Sequence, residues 1–331
     1  MDASTGAWQF LGTPATVPNP SFLALHPDGQ HLYCVHGAGF SEVSAFAIAD
    51  RHSGRLEPLG SRPSGGTNPV HLEVHPQGGW LVVANYLGAS VAALPVGADG
   101  ALGPASHVVP LTGEPGPDPV EQSGPHPHHI PFDPSGEFVA VPDKGLDRVF
   151  VFRLDRGRGR LLPAEPPWMP SQGGAGPRHI AFHPHRPLAY LVNELDSTVT
   201  TCTFDRRSGR LQSEQVIPSV PQNAAVRNTG SEILVHPDGR TVYVSNRGHD
   251  SVGVFRIQES DSRLTGTDWL STRGRMPRAM ALDPQGRYLY VANQSSDTIA
   301  AFAVDAATGG LRPLEQVVET GSPSSIVFTP V

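Results

Sequence analysis

Cysteine is scarce in this chain: Cys34 and Cys202 are the only two among 331 residues. They lie far apart, and neither belongs to a CxxC motif or to a Cys/His spacing that binds zinc. This pattern argues against a disulfide framework and against a structural metal site. We therefore expect two reduced, buried thiols, and neither a metal nor another cofactor.

Charge and long apolar runs are also in short supply. Charged residues make up 17% of the chain, and the formal net charge of -7 leaves no basic field for nucleic acid or an anionic membrane. No apolar run approaches the roughly 18 residues of a spanning helix. The first ten residues lack the basic and apolar regions of a signal peptide. These absences predict a cytoplasmic protein without nucleic-acid or membrane partners, and they leave its oligomeric state open.

Glycine and proline, by contrast, are abundant, with 36 and 34 copies. Both interrupt helices, so their number indicates a turn-rich globular protein. A chain of this length could form two or three domains, but large all-β folds often use as many residues in one. We expect a single domain over residues 1–331.

An internal repeat of about 50 residues organises the chain. Each copy carries a His-Pro or Asp-Pro pair inside a tight turn. The pairs begin at His26, His75, Asp133, His183, His236 and Asp283, with a Thr-Pro pair at Thr329.

Each repeat is typical of four short strands. Apolar runs at residues 22–25 and 32–35 flank the turn HPDGQ, and third and fourth runs follow, as at residues 149–152 and 210–215. No 3.6-residue periodicity supports a helical solenoid. The pattern predicts an all-β fold, a β-propeller with four-stranded antiparallel blades.

The blade count is irregular at the ends of the chain. Six complete copies and a seventh, PSSIVFTPV, predict seven blades. Before the first copy only residues 8–11 resemble a strand, which would be the outermost one of the closing blade. The closing blade is therefore expected to be incomplete, through either a truncated N-terminus or an irregular closure. Its exposed strand edges predict marginal stability or association through those edges.

Residue types that recur in several copies are expected to serve the scaffold. The recurring polar residues lie before the third strand (Asp147, Asp196, Asp250, Asp297), at the end of the second (Asn85, Asn193, Asn246, Asn293) and in the His-Pro turns. Propeller topology brings two other positions of every blade to one mouth of the central channel. These are the residue after the proline that begins the first strand and the residue that follows the second strand.

Departures from the repeat at those two positions are charged, aromatic or amide side chains. The first position holds His128, Arg178 and Arg278, and the second holds Tyr86, Lys144, Glu194, Arg247 and Gln294. His129, His179, Glu232 and His249 are close in sequence. One carboxylate among several cations favours an acid–base site with an anion cradle, because arginine pairs bidentately with carboxylate or phosphate. The alternative is an ion-pair network that only stabilises the channel mouth.

Three strings, PHPHHIPFDPSGEFVAVPDKGLDRVFVFRL, GPRHIAFHPHRPLAYLVNELDSTV and SEILVHPDGRTVYVSNRGHDSVGVFRI, resemble the seven-bladed propeller lactonase family. That family includes propeller-type 6-phosphogluconolactonases and fungal carboxymuconate cyclases. The resemblance runs from Trp8 onward, although the two strands with which family members usually begin are absent. It implies that His128, Arg178, Glu194 and Arg247 are the active-site residues.

The resemblance implies hydrolysis of a small anionic lactone, with 6-phosphogluconolactone as the leading candidate. We expect Glu194 or His128 to act as general base and the two arginines to stabilise the oxyanion. The expected substrate-binding residues are Lys144, His179, His249, Arg278, Tyr86 and Gln294. The alternatives are a lactonising or isomerising enzyme of the carboxymuconate cyclase type and a propeller that only binds a ligand.

Overall fold

A computed structural model describes residues 1–329 and divides the chain into two compact units. We call Phe10–Gly173 with Arg206–Arg210 the N-terminal unit. Met1–Gln9, Gly174–Asp205 and Leu211–Phe328 form the C-terminal unit. A single domain over residues 1–331 stays a prediction.

The N-terminal unit contains three antiparallel sheets, which are the first three blades. The first blade consists of β1 (Pro20–Leu25), β2 (His31–His36), β3 (Glu42–Asp50) and β4 (Arg55–Pro63). The second consists of β5 (Pro69–Val74), β6 (Trp80–Asn85), β7 (Ser90–Pro95) and β8 (His107–Pro110). The third consists of β9 (Phe138–Asp143), β10 (Arg148–Asp155) and β11 (Arg160–Pro170).

The C-terminal unit contains three four-stranded sheets. The fourth blade consists of β12 (Pro177–Phe182), β13 (Leu188–Asn193), β14 (Thr198–Phe204) and β15 (Leu211–Pro218). The fifth consists of β16 (Thr229–Val235), β17 (Thr241–Arg247), β18 (Ser251–Ile257) and β19 (Leu264–Ser271). The sixth consists of β20 (Pro277–Leu282), β21 (Tyr288–Asn293), β22 (Thr298–Val304) and β23 (Leu311–Glu319). The predicted four-stranded antiparallel blade is confirmed in five of the six sheets formed by residues 1–329.

The histidine of the His-Pro turn links one blade to the next. His75 Nδ1 accepts a hydrogen bond from the Gln77 amide at 3.0 Å, so the proton of a neutral ring lies on Nε2, which donates to the Gly136 carbonyl at 3.0 Å. The same bonds join His183 to Gly239 and His236 to Gly286. The predicted scaffold role of these histidines is confirmed.

The recurring asparagines close the hairpin that follows them. Asn85 Nδ2 donates to the Ser90 hydroxyl, five residues further on, at 3.2 Å. The equivalent pairs are Asn193 with Thr198, Asn246 with Ser251 and Asn293 with Thr298. These asparagines are therefore scaffold residues, as predicted.

The recurring aspartates hold backbone amides around turns. Asp196 accepts from the Thr198 amide at 3.1 Å, Asp250 from the Met276 amide at 2.9 Å and Asp297 from the Ser322 amide at 2.7 Å. Asp147 has a positive φ of 51°. These contacts agree with the predicted scaffold role of Asp196, Asp250 and Asp297, and the positive φ of Asp147 is typical of a turn.

Asp143 occupies the asparagine position in the third blade. Five residues further on stands Arg148 instead of a hydroxyl residue, and Asp143 Oδ1 accepts backbone amides from His126, Gly145 and Leu146 at 2.8 to 3.0 Å. Its Oδ2 is buried without a hydrogen-bond partner among the described residues. Burial raises the pKa of Asp143 to about 6.

Asp143→Asn should flatten the dependence of stability on pH. A carboxyl whose pKa is raised on folding contributes stability below the unfolded value of 3.8, and this contribution is lost as the pH rises through about 6. The asparagine variant should therefore exceed the wild type by on the order of 2 kcal/mol in the free energy of unfolding at pH 8. Urea unfolding at pH 5 and pH 8 measures this difference, and parallel pH profiles for the two proteins would contradict the assignment.

The first strand of the third blade is not formed, which corrects the prediction for this blade. Residues 127–132 make only two isolated bridges, Pro127 with Asp143 and Phe132 with Val139. Pro131, inside this segment, lacks the backbone N–H that a continuous ladder requires. His128 therefore lies on an irregular segment, where its amide donates to the Pro142 carbonyl at 3.0 Å.

The strands predicted at the two ends of the chain are also absent from the described residues. Residues 8–11 and 323–329 have no strand assignment; the last two residues of PSSIVFTPV lie outside the described range. The Trp8 ring instead packs on Tyr290 and Phe328, with ring centroids 4.9 and 6.1 Å apart. The Trp8 backbone pairs with the side chain of Gln316 rather than with a neighbouring strand. Side-chain contacts thus connect Trp8 to the sixth blade, where a β-strand was predicted.

Candidate active site

Each regular first strand begins with a β-bulge. The register shifts directly after Pro20, Pro69, Pro177, Gly230 and Pro277. A bulge adds an unpaired residue and redirects its side chain. In the fourth and sixth blades the inserted residue is Arg178 or Arg278, so the first position singled out from the sequence is a bulge position.

The bulges of the C-terminal unit are joined by hydrogen bonds. Arg178 Nη1 donates to the Ser231 carbonyl at 2.8 Å, and Ser231 Oγ donates to the Arg278 carbonyl at 2.8 Å. The carbonyls are available because a bulge interrupts the ladder. The fifth blade thus holds the guanidinium of Arg178 from the fourth blade, and it is itself bonded to the sixth blade.

Glu194 stands between two arginines. Its Oε2 lies 3.0 Å from Arg178 Nε and 3.0 Å from Arg247 Nη2. Arg247 Nη2 also donates to the Gly230 carbonyl at 3.0 Å. The Arg178 side chain is 2% exposed and that of Glu194 is 12% exposed, so the carboxylate is the more accessible of the two. Three of the four predicted catalytic residues therefore meet in the C-terminal unit.

Around Arg178, positive charge exceeds negative charge: the cations are Arg178, Arg247 and Arg278, and the anions are Glu194 and Glu232. Burial lowers the pKa of Arg178, and the neighbouring cations Arg247 and Arg278 act in the same direction. Glu194 and Glu232 oppose that shift. An anionic ligand would add to this opposing effect, so the site is electrostatically suited to one.

The predicted residues of the N-terminal unit form an aromatic and ionic cluster. The Tyr86 ring stacks on His126 at 4.4 Å, and the ring of His128 lies 5.7 Å from that of Tyr86. Lys144 Nζ is 2.7 Å from Glu121 Oε2 and 5.6 Å from the Tyr86 ring centroid. Sequence reasoning missed Glu121, whose only signal is that it lies in the long connection between β8 and β9.

In each blade, the residue directly after the first site position adds a further side chain. We call these six residues the second layer. Its members in blades one to six are Phe22, His71, His129, His179, Glu232 and Ala279. In the C-terminal unit, His179 Nδ1 lies 2.7 Å from Glu232 Oε1, and both side chains are buried. In the N-terminal unit, the His71 ring is 4.2 Å from Phe22 and 4.0 Å from His129. His179, predicted to bind substrate, is therefore held by a carboxylate of the next blade.

The remaining predicted binding residues, His249, Gln294 and Arg278, also belong to the C-terminal unit. His249 Nδ1 is 2.7 Å from the Ser251 hydroxyl. Gln294 begins a short 3-10 helix (Gln294–Ser296), and its amide donates to the Met276 carbonyl at 3.0 Å. Arg278 is half-buried. A substrate-binding role for these residues stays a prediction.

Two features concern the prediction that no metal or cofactor is bound: the two cysteines, and one group of histidine and aspartate side chains. Cys34 and Cys202 are both buried, as predicted, and burial raises the pKa of each thiol to about 12. Among the described residues, one group of three possible metal ligands occurs, His26, Asp28 and His31. His26 Nδ1 accepts from the Asp28 amide at 3.2 Å, and the absence of a metal stays a prediction. Across residues 1–329, no helix combines the length and apolarity that membrane crossing demands.

Antiparallel blades that carry a largely buried ion-pair cluster of Arg178, Glu194 and Arg247 define a β-propeller protein. The family model "Lactonase, 7-bladed beta-propeller" matches residues 1–328, and the chain belongs to this family. The family resemblance and the β-propeller fold class expected from the sequence are thereby confirmed, with six sheets among the described residues.

Named relatives agree with this membership. The chain is 33% identical over 315 residues to a 6-phosphogluconolactonase of Bacillus subtilis, covering 95% of this chain and 88% of that protein. The solved structure of the periplasmic gluconolactonase PpgL of Pseudomonas aeruginosa superposes with a TM-score of 0.91 at 32% identity, covering 100% and 93%. A putative 6-phosphogluconolactonase of Bacteroides fragilis has a TM-score of 0.87 at 32% identity, covering 94% and 87%.

Proposed function

We propose that this protein hydrolyses a sugar lactone, with 6-phosphogluconolactone as the leading candidate substrate. The observation that carries the proposal is the carboxylate of Glu194 between Arg178 and Arg247, each 3.0 Å away. The names of the relatives in Bacillus subtilis and Bacteroides fragilis support the choice of lactone. We also propose a cytoplasmic location, although the Pseudomonas aeruginosa neighbour is named as periplasmic.

Lactone hydrolysis needs an activated water, a stabilised oxyanion and a proton for the ring oxygen that leaves. Water forms the new carbon–oxygen bond at the carbonyl, and the bond from that carbon to the ring oxygen then breaks. In our proposal Glu194 or His128 takes the proton from water, and the other residue is available for proton return.

Arg178 and Arg247 are proposed to stabilise the tetrahedral oxyanion and to hold an anionic group of the substrate. Backbone carbonyls already orient both guanidinium groups, at 2.8 Å for Arg178 and 3.0 Å for Arg247. Donors held in place before the reaction stabilise developing charge without reorganising.

Lys144 and Arg278 are proposed contacts for a phosphate or carboxylate group. The pair that Lys144 makes with Glu121 means that a substrate anion would have to share this ammonium group. Tyr86, His179, His249 and Gln294 complete the proposed substrate-binding set.

A carboxymuconate cyclase type of reaction is the second candidate, because two arginines around one carboxylate also suit a dicarboxylate substrate. A propeller that binds an anion without turnover is the third. The three candidates differ in the lactones they would convert.

A panel of lactones separates these functions. Freshly prepared 6-phosphogluconolactone, glucono-1,5-lactone and muconolactone are each incubated with the protein, and acid release is followed after subtraction of spontaneous hydrolysis. We expect the highest kcat/KM for the phosphorylated sugar lactone. Conversion of muconolactone alone would favour the cyclase type, and no conversion of any lactone would favour a binding protein.

A further inference from the structure

The second layer contains one carboxylate, Glu232, at the position where three other blades have histidine. Glu232 is 5% exposed and its partner His179 is 2% exposed, so the pair is screened from bulk water. The proposed reaction assigns no role to Glu232.

Glu232 and its neighbour Ser231 contact the strand that carries Arg178 through an ion pair and a hydrogen bond. Its carboxylate holds His179, the residue after Arg178, at 2.7 Å, while the carbonyl of the preceding Ser231 accepts from Arg178 at 2.8 Å. The Glu232 amide donates to Ser245 Oγ at 2.9 Å, and the Ile233 amide donates to Glu232 Oε1 at 3.1 Å. Two adjacent residues of β16 thus fix two adjacent residues of β12.

Glu232 is also part of the charge balance around the site. Burial raises its pKa, and the cations Arg178 and Arg278 oppose that rise. Glu194 forms ion pairs with Arg178 and Arg247. Glu194 and Glu232 are therefore two carboxylates acting on a group of three arginines, one more accessible and one deeply buried.

We propose that Glu232 is a positioning residue that orients Arg178 through His179 and supplies the inner negative charge of the arginine cluster, leaving Glu194 able to accept a proton. This inference rests on the proposed lactone hydrolysis. Without the inner charge, the arginines would hold both Glu194 and an anionic substrate more tightly. Tighter substrate binding combined with a less available base lowers KM and kcat together.

Glu232→Gln tests this role, because the amide oxygen can still accept from His179 while the charge is lost. At pH 8, above the raised pKa of Glu232, we expect kcat on 6-phosphogluconolactone to fall about tenfold and KM to fall about threefold, with KM for uncharged glucono-1,5-lactone unchanged. Glu232→Asp, which keeps the charge, should not lower KM. The matched control is Glu73→Gln on β5, which removes another carboxylate that accepts a backbone amide, from Phe132 at 3.2 Å, and should leave both constants unchanged.

A purely structural role would raise KM or lower the melting temperature in step with kcat, and either result would overturn the proposal. Calorimetric binding of 6-phosphogluconate gives a readout that does not need turnover, and the glutamine variant should bind it about threefold more tightly. Absence of lactone hydrolysis by the wild type would refute the proposed function, whereas unchanged 6-phosphogluconate affinity in the variant would refute the role of Glu232. If Glu232→Gln does not fold, His179→Asn is measured instead, and a lowered KM in that variant, which keeps the charge, would contradict the inference.

Discussion

Glu194→Gln should lower kcat on 6-phosphogluconolactone by about 10³-fold, within the range that general acid–base groups contribute. The amide oxygen can still face Arg178 and Arg247, which lie 3.0 Å from the carboxylate in the wild type. What the variant loses is the negative charge of the carboxylate and with it the ability to accept a proton from water. The measurement is the initial rate of acid release from freshly made lactone at saturating concentration.

The control for this variant is Glu214→Gln, which removes an exposed carboxylate on β15 of the same unit. Both variants should keep the circular dichroism spectrum of the wild type. If Glu194→Gln hydrolyses the lactone at the wild-type rate, Glu194 is not the base. Loss of activity in His128→Ala would then assign that role to His128.

Arg178→Lys should lower kcat/KM by at least about 10²-fold, the cost of removing one oxyanion donor. The planar guanidinium reaches the Ser231 carbonyl through Nη1 and Glu194 through Nε at the same time. A lysine ammonium is a single point charge and cannot span both partners. The variant therefore keeps the charge of the cluster but loses its orientation.

Arg256→Lys, at an exposed position of β18, is the matched control and should behave like the wild type. Steady-state kinetics on 6-phosphogluconolactone and on glucono-1,5-lactone separate orientation from charge, because only the first substrate carries a phosphate. Unchanged kcat/KM in Arg178→Lys for both lactones would show that charge alone suffices at this position.

The repeat in the sequence contained enough information to predict the blades and to separate scaffold from site. Asn85 and its equivalents recur because each pairs with a hydroxyl five residues later, so they could be assigned to the scaffold rather than to the site. Arg178 stands out against the small residues Ser21, Val70 and Ser231 at the same position, and Glu194 because no other blade has a carboxylate at its position. The structure brings Arg178 and Glu194 together.

Features outside the repeat could not be predicted in the same way. The pairing of Lys144 with Glu121 depends on how the connection between β8 and β9 folds, and no other copy provides a template for it. The missing first strand of the third blade follows from Pro131, which no other copy has at the equivalent position. The contact between His179 and Glu232 joins neighbouring blades, and sequence spacing within one blade does not report on it.

The rate at which the purified wild-type protein converts fresh 6-phosphogluconolactone to 6-phosphogluconate tests lactone hydrolysis most directly. The wild type, Glu194→Gln and a sample without protein are compared in one assay. Hydrolysis by the wild type well above the spontaneous rate, with Glu194→Gln close to that rate, is the predicted result. Equal rates in all three samples would contradict the assignment of this site to lactone hydrolysis.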